Sequence, residues 1–114
     1  MKSGNLISVI MPVYNCERYL AEAMESALAQ DYRPMEIIVV DDGSEDGTPI
    51  IAEKFADEVI KLEKNSGRSI ARNEGMKVAR GEIIVNIDSD ILINRETIGK
   101  IYDYFLQYMH NCIK

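Results

Sequence analysis

Short apolar runs alternate along this sequence with segments of helical periodicity, and this alternation restricts the fold more than any other feature. The apolar runs predict four strands, at residues 6–13, 35–40, 58–62 and 83–87. Apolar residues spaced three and four apart predict helices at 17–30, 48–56 and 68–79, and a last helix carrying Ile98, Ile101, Tyr102, Phe105 and Met109. Because this alternation builds a mostly parallel sheet with right-handed crossovers, we predict a three-layer α/β/α, Rossmann-like fold.

The composition sets the class of protein and excludes one class of partner. With 114 residues, of which 46% are hydrophobic, the chain suits one compact domain over residues 1–114. The net charge of −6 predicts no nucleic-acid partner, because sequence-independent binding to phosphates needs a surplus of Lys and Arg. Cys16 and Cys112 lack the spacing of a zinc site, and no run approaches the ~18 apolar residues of a membrane helix. We expect reduced thiols in a cytoplasmic protein, and peripheral attachment at the inner membrane face stays open.

Polar residues follow every predicted strand close to the point where the strand ends. These segments are Pro12–Asn15, Asp41–Ser44, Asn65–Gly67 and Asp88–Asp90. In sheets of this kind, ligands bind outside the carboxyl ends of the strands, where the winding reverses. Because four separate strand ends converge on this rim, we predict one shared cleft that brings Asp41 and Asp90 together.

Asp88 and Asp90 form an Asp-x-Asp pair at the end of an apolar strand. Two carboxylates in such a place are unfavourable unless something compensates their charge. Mg²⁺ or Mn²⁺ does so, because each takes oxygen ligands and bridges carboxylates to substrate phosphates. The alternative is an ordinary turn rich in acids. We favour a Mg²⁺ or Mn²⁺ site with Asp90 and Asp88 as its ligands.

Asp41 and Asp42 precede Gly43 and form a second acidic pair at the same rim. One carboxylate there can accept a hydrogen bond from a base N–H or a ribose hydroxyl, and the glycine lets the backbone approach a ligand. A simple polar turn is the alternative, although it explains two mutually repelling carboxylates poorly. We favour a binding role for Asp41 and leave both interpretations open for Asp42.

Arg72 lies one turn beyond Arg68 in the predicted helix that opens after Gly67. A helix N-terminus beside guanidinium groups suits a diphosphate, so we favour phosphate binding for Arg72. Arg68 is interpreted as a surface arginine that pairs with Glu74 or with the acidic loop. Tyr14 fits a place against a nucleobase and a core position equally well.

Together these residues resemble the inverting family 2 glycosyltransferases, whose catalytic domain has the GT-A fold. The matching segments are Ile7–Asn15, Glu36–Ser44, Asn65–Gly67 with Ala71–Asn73, and Asp88–Asp90. The resemblance implies transfer of a sugar from a nucleotide diphosphate sugar to a saccharide or lipid acceptor, with a UDP-sugar as the expected donor.

The resemblance also implies roles for individual residues. It implies a base pocket lined by Pro12, Val13 and Tyr14. Asp41 would recognise the base, and Asp42 or Ser44 would support that loop. The residues implied along the nucleotide and its phosphates are Asn65, Gly67 and Arg72. Asp88 would contact the ribose or the metal, and Asp90 would ligate the metal.

The family's acceptor half follows the Asp-x-Asp strand and supplies the general base, whereas this chain ends one helix later, at Lys114. We therefore expect a truncated GT-A half that lacks a catalytic base of its own. The alternatives are a transferase whose base comes from another chain, a nucleotide-binding fragment without activity, a receiver-like phosphoacceptor domain and a pure interaction module. The receiver alternative is weak, because paired acids do not follow the first strand and no late strand carries the lysine that receivers need.

Truncation would leave the fourth predicted strand and its flanking residues, 82–88, as an unprotected apolar edge. Exposed edges of this kind recruit partners. We therefore expect a homodimer formed through this strand or through the face of the last helix. The residues that this contact would bury are Ile84, Tyr102, Phe105 or Tyr108.

Overall fold

A computed structural model describes residues 2–113 of the chain. Its eight elements follow the predicted order of alternating strands and helices. They are β1 (Lys2–Val13), α1 (Leu20–Leu28), β2 (Tyr32–Asp41), α2 (Thr48–Phe55), β3 (Glu58–Lys61), α3 (Arg68–Val78), β4 (Ile83–Asn86) and α4 (Thr97–Ile113). None of the helices in this part of the chain has the length and apolar content that crossing a bilayer requires.

The four strands form one parallel sheet in the order β3-β2-β1-β4. In β1, Ile7–Val13 pairs with Met35–Asp41 of β2, and Ile7–Ile10 pairs with Ile83–Asn86 of β4. The chain moves outward from β1 to β3 and then returns to the other side of β1, so the winding reverses between β1 and β4. A crevice is therefore expected at the carboxyl ends of these two strands.

Helices cover both faces of the sheet, as the predicted three-layer fold requires. α1, α2 and α4 pack on the face that carries Met11 of β1 and Val39 of β2. α3 packs on the opposite face, where Ala71 meets Ile10 and Val40. Because consecutive strand residues point to opposite faces, coverage of both faces explains why these strands are continuously apolar.

Two acids hold α3 against the sheet, one near each end of the helix. Asp42 accepts hydrogen bonds from the backbone N–H groups of Ser66 and Gly67, at 2.7 and 2.9 Å, just before the helix. Glu36 accepts hydrogen bonds from the backbone and guanidinium N–H groups of Arg80, just after it. A helix of 11 residues rises roughly 16 Å and six strand residues span roughly 20 Å, so the two acids bracket α3.

Gly75 lets α3 approach the sheet closely. A Cβ at this position would lie 2.7 Å from Cγ2 of Ile10 and 3.2 Å from Cγ2 of Val40. A larger residue would therefore displace the helix or its neighbours. Because Arg68 and Arg72 lie on α3, the close packing of α3 against the sheet also determines the positions of their two guanidinium groups.

α1 begins at Leu20, three residues later than the pattern predicts. The helix starts late because the residues before it are tied to the loop that precedes α2, where the carboxylate of Glu17 accepts a hydrogen bond from the Gly47 N–H at 2.8 Å. Tyr19 belongs to the apolar pattern that predicted this helix, but it is 46% exposed. Its ring therefore stays outside the core.

Candidate functional site

A cleft of about 320 Å³ opens at the carboxyl ends of β1 and β4, beside the start of α3. This central cleft is lined by eight residues predicted for the site: Pro12, Val13, Tyr14, Asp42, Asn65, Gly67, Asp88 and Asp90. Three lining residues were absent from the prediction: Tyr19, Arg68 and Ser89. Ser89 is the middle residue of the Asp-x-Asp pair, so its position in the sequence was a usable signal, whereas periodicity gave none for Tyr19.

A second cleft of about 470 Å³, the outer cleft, adjoins the first. Its lining includes Tyr14, Asp41, Gly43, Ser44, Pro49, Lys61 and Asn65. Tyr14 and Asn65 border both clefts. The strand ends predicted one shared cleft for Asp41 and Asp90, whereas the two acids line two clefts that adjoin at Tyr14 and Asn65.

Asp41 is buried and incompletely bonded. It is 3% exposed, yet its Oδ1 has no hydrogen-bond partner among the described residues. An unpaired buried carboxylate oxygen is unfavourable, and such atoms mark places that a ligand or water completes. Asp42 points to the opposite face, towards α3, and both of its oxygens accept backbone hydrogen bonds there. Asp41 thus leaves one carboxylate oxygen available to a ligand, whereas Asp42 uses both of its oxygens within the fold.

Ser44 and Asn15 brace the loop that carries Tyr14. The Oγ of Ser44 accepts a hydrogen bond from the Asn15 N–H at 2.8 Å, and the Oδ1 of Asn15 accepts one from the Glu45 N–H at 2.8 Å. Asn15 has a left-handed backbone with φ of 46°, which asparagine tolerates better than most residues. The hydroxyl of Ser44 therefore stabilises the loop that carries Tyr14.

Two arginines of α3 neutralise Asp88. Nη2 of Arg72 lies 3.3 Å from Oδ1 of Asp88, and Nη1 of Arg68 lies 3.7 Å from Oδ2. Arg68 is an exposed surface residue as predicted, but its partner is Asp88, because Glu74 pairs with Lys77 instead. The side chains of Arg68, Arg72 and Asp88 are 67%, 35% and 30% exposed, so these pairs add little stability and can be exchanged for another anion.

Arg72 is the predicted residue that lines neither the central nor the outer cleft. It borders a groove of about 280 Å³ beside β4, together with Val85, Ile87 and Asp88. Its Nε is buried without a hydrogen-bond partner among the described residues. Arg72 is therefore linked to the central cleft through Asp88, whereas Arg68 lines that cleft directly.

Asp90 is exposed and lines both the central cleft and a third cleft of about 270 Å³. Within residues 2–113, no group of three or more His, Cys, Asp or Glu side chains is arranged to hold a metal ion. At the Asp-x-Asp turn, the rim thus offers the available carboxylate of Asp90 and that of Asp88, which arginines occupy. This donor set fits a hard cation only where a bound molecule supplies further oxygen ligands, as phosphates do.

The thiol of Cys16 is a buried neighbour of the Asp-x-Asp turn. Burial raises the pKa of the Cys16 thiol, although hydrogen bonds with Ser89, Thr48 and the backbone of Tyr14 oppose the shift. The thiol therefore stays protonated at neutral pH and is a packing group instead of a nucleophile. Cys16 and Cys112 are both free cysteines.

The sequence and the fold both match known sugar-transferring proteins. The profile of Glycosyl transferase family 2 matches residues 8–114. The chain is 36% identical over 106 residues to Glycosyltransferase GlyA of Streptococcus pneumoniae serotype 4, covering 90% of this chain and 15% of GlyA. TarS of S. aureus in complex with UDP-GlcNAc is similar with a TM-score of 0.82 and 38% identity, covering 94% of this chain and 32% of that chain.

The mannosyltransferase PcManGT of Pyrobaculum calidifontis, in complex with GDP-Man and Mn²⁺, is similar with a TM-score of 0.77 and 30% identity. The match covers 82% of this chain and 30% of that chain. The chain thus spans about a third or less of each of these proteins. The receiver-like alternative has no support from these comparisons, and the resemblance drawn from the strand ends is confirmed. The chain belongs to glycosyl transferase family 2 and has the nucleotide-binding architecture of the GT-A fold.

Proposed function

We propose that this chain holds the nucleotide diphosphate part of a sugar donor, within an enzyme that transfers the sugar to a saccharide or lipid acceptor. The observation that carries the proposal is the buried, unpaired oxygen of Asp41 in one cleft beside the exposed carboxylate of Asp90 in the next. The complexes of TarS with UDP-GlcNAc and of PcManGT with GDP-Man support this class of donor. We favour a UDP-sugar.

The base would lie in the outer cleft, where Asp41 offers its unpaired Oδ1 to a base N–H. Tyr14 borders this cleft and is 44% exposed, so its ring is available to pack against the base. Pro12 and Val13 would complete the apolar wall on the side of the central cleft. The buried carboxylate of Asp41 would fix the orientation of the base, in a cleft whose lining also carries Glu45, Lys61, Glu63 and Lys64.

The diphosphate would lie in the central cleft, at the N-terminus of α3. Asn65 and Gly67 line this cleft, and among the described residues no atom beyond the chain neighbours of Gly67 lies within 4 Å of where its Cβ would be, so the backbone is open there. We propose that the diphosphate replaces Asp88 as the partner of Arg68 and Arg72, since these pairs are partly exposed and weak. Asp88 is then released towards the ribose or a cation.

A divalent cation, Mg²⁺ or Mn²⁺, would be held by Asp90, with Asp88 as a second ligand after its release. PcManGT contains Mn²⁺, which supports a divalent metal for the family. The geometry fits a cation that takes its remaining oxygens from the diphosphate and water, because Asp90 is exposed and lies in the same cleft. When bound, the cation would offset the charge on the leaving diphosphate.

The general base for an inverting transfer would come from outside these residues, as would most of the acceptor site. This part of the proposal follows from the chain's spanning 20% of TarS and 15% of GlyA. The two free cysteines suit a reducing compartment, so we propose a cytoplasmic location, with peripheral contact to the inner membrane face when the acceptor is a lipid.

Calorimetric titration with UDP, GDP and dTDP, each with and without Mn²⁺, tests the proposal. We expect one nucleotide to bind, with Mn²⁺ strengthening its affinity about tenfold or more, because the cation bridges Asp90 to the phosphates. Asp90→Asn should remove most of the Mn²⁺ effect. Asp103→Asn is the matched control, since Asp103 lies on α4, pairs with Lys2 of β1 and lines none of the three described clefts. Absence of binding by all three nucleotides would overturn the proposal.

We also propose self-association through β4 or α4. β4 is an edge strand, its Ile84 is 39% exposed, and Tyr108 of α4 is 64% exposed. Tyr102 cannot contribute as the sequence suggested, because it is 8% exposed and packs within the chain beside Tyr32. Sedimentation velocity should show a dimer that Ile84→Lys weakens. A monomer at high concentration would contradict this part of the proposal.

A further inference from the structure

Three clefts lie in a row along the rim of the sheet. The outer and central clefts share Tyr14 and Asn65. The central cleft and the third cleft share Tyr19, Ser89 and Asp90. The third cleft, which we name the Glu22 cleft, is lined by Tyr19, Glu22, Ala23, Ser89, Asp90 and Leu92. Asp90 therefore stands on the border between the central cleft and the Glu22 cleft.

The order of the clefts matches the order of groups in a nucleotide diphosphate sugar, and this step rests on the proposed function. With the base beside Asp41 and the diphosphate in the central cleft, the phosphate farthest from the base lies towards Asp90. The sugar attached to that phosphate must leave the central cleft on the side away from the outer cleft. We propose that the glycosyl group of the donor enters the Glu22 cleft and that Glu22 selects the sugar.

The lining of the Glu22 cleft suits a pyranose ring. The carboxylate of Glu22 accepts hydrogen bonds from sugar hydroxyls, which are donors that a carboxylate bonds strongly. Tyr19 and Leu92 are 46% and 62% exposed, so they offer apolar surface to the C–H groups of the ring. Large apolar side chains exposed beside a polar group are typical of binding surfaces. This pattern also accounts for Tyr19 lying outside the core.

Glu22 also lies in the first turn of α1, where a negative charge favours the helix. The test must separate that structural effect from a contact with the sugar. A structural effect would change the affinity for a free nucleotide diphosphate and for the sugar nucleotide alike. A contact with the sugar would change only the affinity for the sugar nucleotide.

The experiment compares Glu22→Gln with the unsubstituted chain by calorimetry in the presence of Mn²⁺. The ligands are UDP, UDP-glucose, UDP-galactose and UDP-GlcNAc, and the readout is the ratio of Kd for UDP to Kd for each sugar nucleotide. We expect at least one sugar nucleotide to bind tighter than UDP, and Glu22→Gln to weaken it roughly tenfold while leaving UDP unchanged. Glu25→Gln, an exposed position on the same helix, is the control and should leave every ratio unchanged.

A second variant, Leu92→Ala, keeps the inference testable without any change of charge on α1. It should lower the affinity for the same sugar nucleotide severalfold and leave UDP unchanged. Equal losses for UDP and the sugar nucleotide, or no loss for either in both variants, would overturn the inference while leaving the proposed nucleotide site standing. Tighter binding of UDP than of every sugar nucleotide would also overturn it. Failure of the unsubstituted chain to bind UDP would contradict the favoured donor and the inference with it.

Discussion

Glu36 and Asp41 are buried acids of the same strand, β2, but only Glu36 is fully bonded. Glu36 is 6% exposed and accepts hydrogen bonds from the Ser8 hydroxyl and from Arg80. Asp41 is 3% exposed and has an oxygen with no partner among the described residues. The two lie towards opposite ends of β2 and point to opposite faces of the sheet. The comparison separates an acid that holds the fold from an acid that is left for a ligand.

The largest expected effect is on stability, from Glu36→Ala. This change should lower the free energy of unfolding by about 3 kcal/mol, because it leaves the buried Ser8 hydroxyl and the Arg80 N–H without their acceptor. The guanidinium contributes little, since the Arg80 side chain is 78% exposed. Urea denaturation measures the change. Asp41→Asn is the matched substitution and should stay within about 0.5 kcal/mol of the unsubstituted chain; an equal loss would erase the distinction.

The next effect is on binding, from Asp41→Asn. We expect this change to weaken the affinity for UDP about tenfold, because a charge-assisted hydrogen bond to the base is replaced by a weaker one. Glu36→Gln keeps the shape of its side chain and should leave UDP binding unchanged once the protein is folded. Calorimetry in the presence of Mn²⁺ measures both. Loss of UDP binding in Glu36→Gln with none in Asp41→Asn would reverse the assignment of the two acids.

A smaller effect is the dependence of stability on pH. Burial alone would raise the pKa of Glu36, but hydrogen bonds from Ser8 and Arg80 outweigh it, so the pKa lies below its ordinary value. For Asp46, hydrogen bonds from Thr48 and Glu17 likewise outweigh burial and lower the pKa. A carboxyl whose pKa is lower in the folded state contributes stability above its unfolded pKa and loses it as the pH falls through the folded pKa.

The free energy of unfolding should therefore decrease as the pH is lowered through and below the ordinary range of a carboxyl group. In Glu36→Gln the decrease should be smaller, leaving the part that Asp46 contributes. Urea denaturation at a series of pH values measures the slope. A slope unchanged in Glu36→Gln would show that Glu36 has the same pKa in the folded and unfolded chain.

The smallest expected effect is on stability, from Arg68→Ala. Its pair with Asp88 spans 3.7 Å between partly exposed groups, so the free energy of unfolding should change by less than about 0.5 kcal/mol. UDP affinity should nevertheless fall severalfold, because the guanidinium lines the central cleft. Lys77→Ala, which removes an exposed pair on the same helix, is the control for both measurements. A large loss of stability would show that Asp88 and Arg68 form a fixed structural pair.

The sequence predicted the strand and helix order because both faces of the sheet are covered, which makes every strand a continuous apolar run. It favoured a binding role for Asp41 but could not settle the role of Asp42. The two acids are adjacent, and their roles differ because Asp42 points to the α3 face, where it accepts hydrogen bonds from the N–H groups of Ser66 and Gly67. Those contacts join residues 24 and 25 positions apart, and no local pattern encodes them.

The site residues that sequence reasoning missed were missed for the same reason. Tyr19 lies just before α1 because Glu17 accepts a hydrogen bond from the Gly47 N–H, a contact across 30 positions. Arg68 was set aside as a surface residue because periodicity cannot show that the turn after β4 brings Asp88 within reach. The sequence also could not show that Asp41 and Asp90 line two adjoining clefts, both of which Tyr14 and Asn65 border.

We propose that acids from separate strands act at one rim of the sheet, with a cation held there against a diphosphate. Paramagnetic broadening of backbone amide signals by Mn²⁺, recorded with and without UDP, tests it most directly. With UDP present, we predict loss of signal at Asp88–Asp90 and at Asn65–Gly67, with the signals of Glu36 and Arg80 preserved. Broadening that ignores UDP, or that falls at the Glu36 end of β2, would contradict the account.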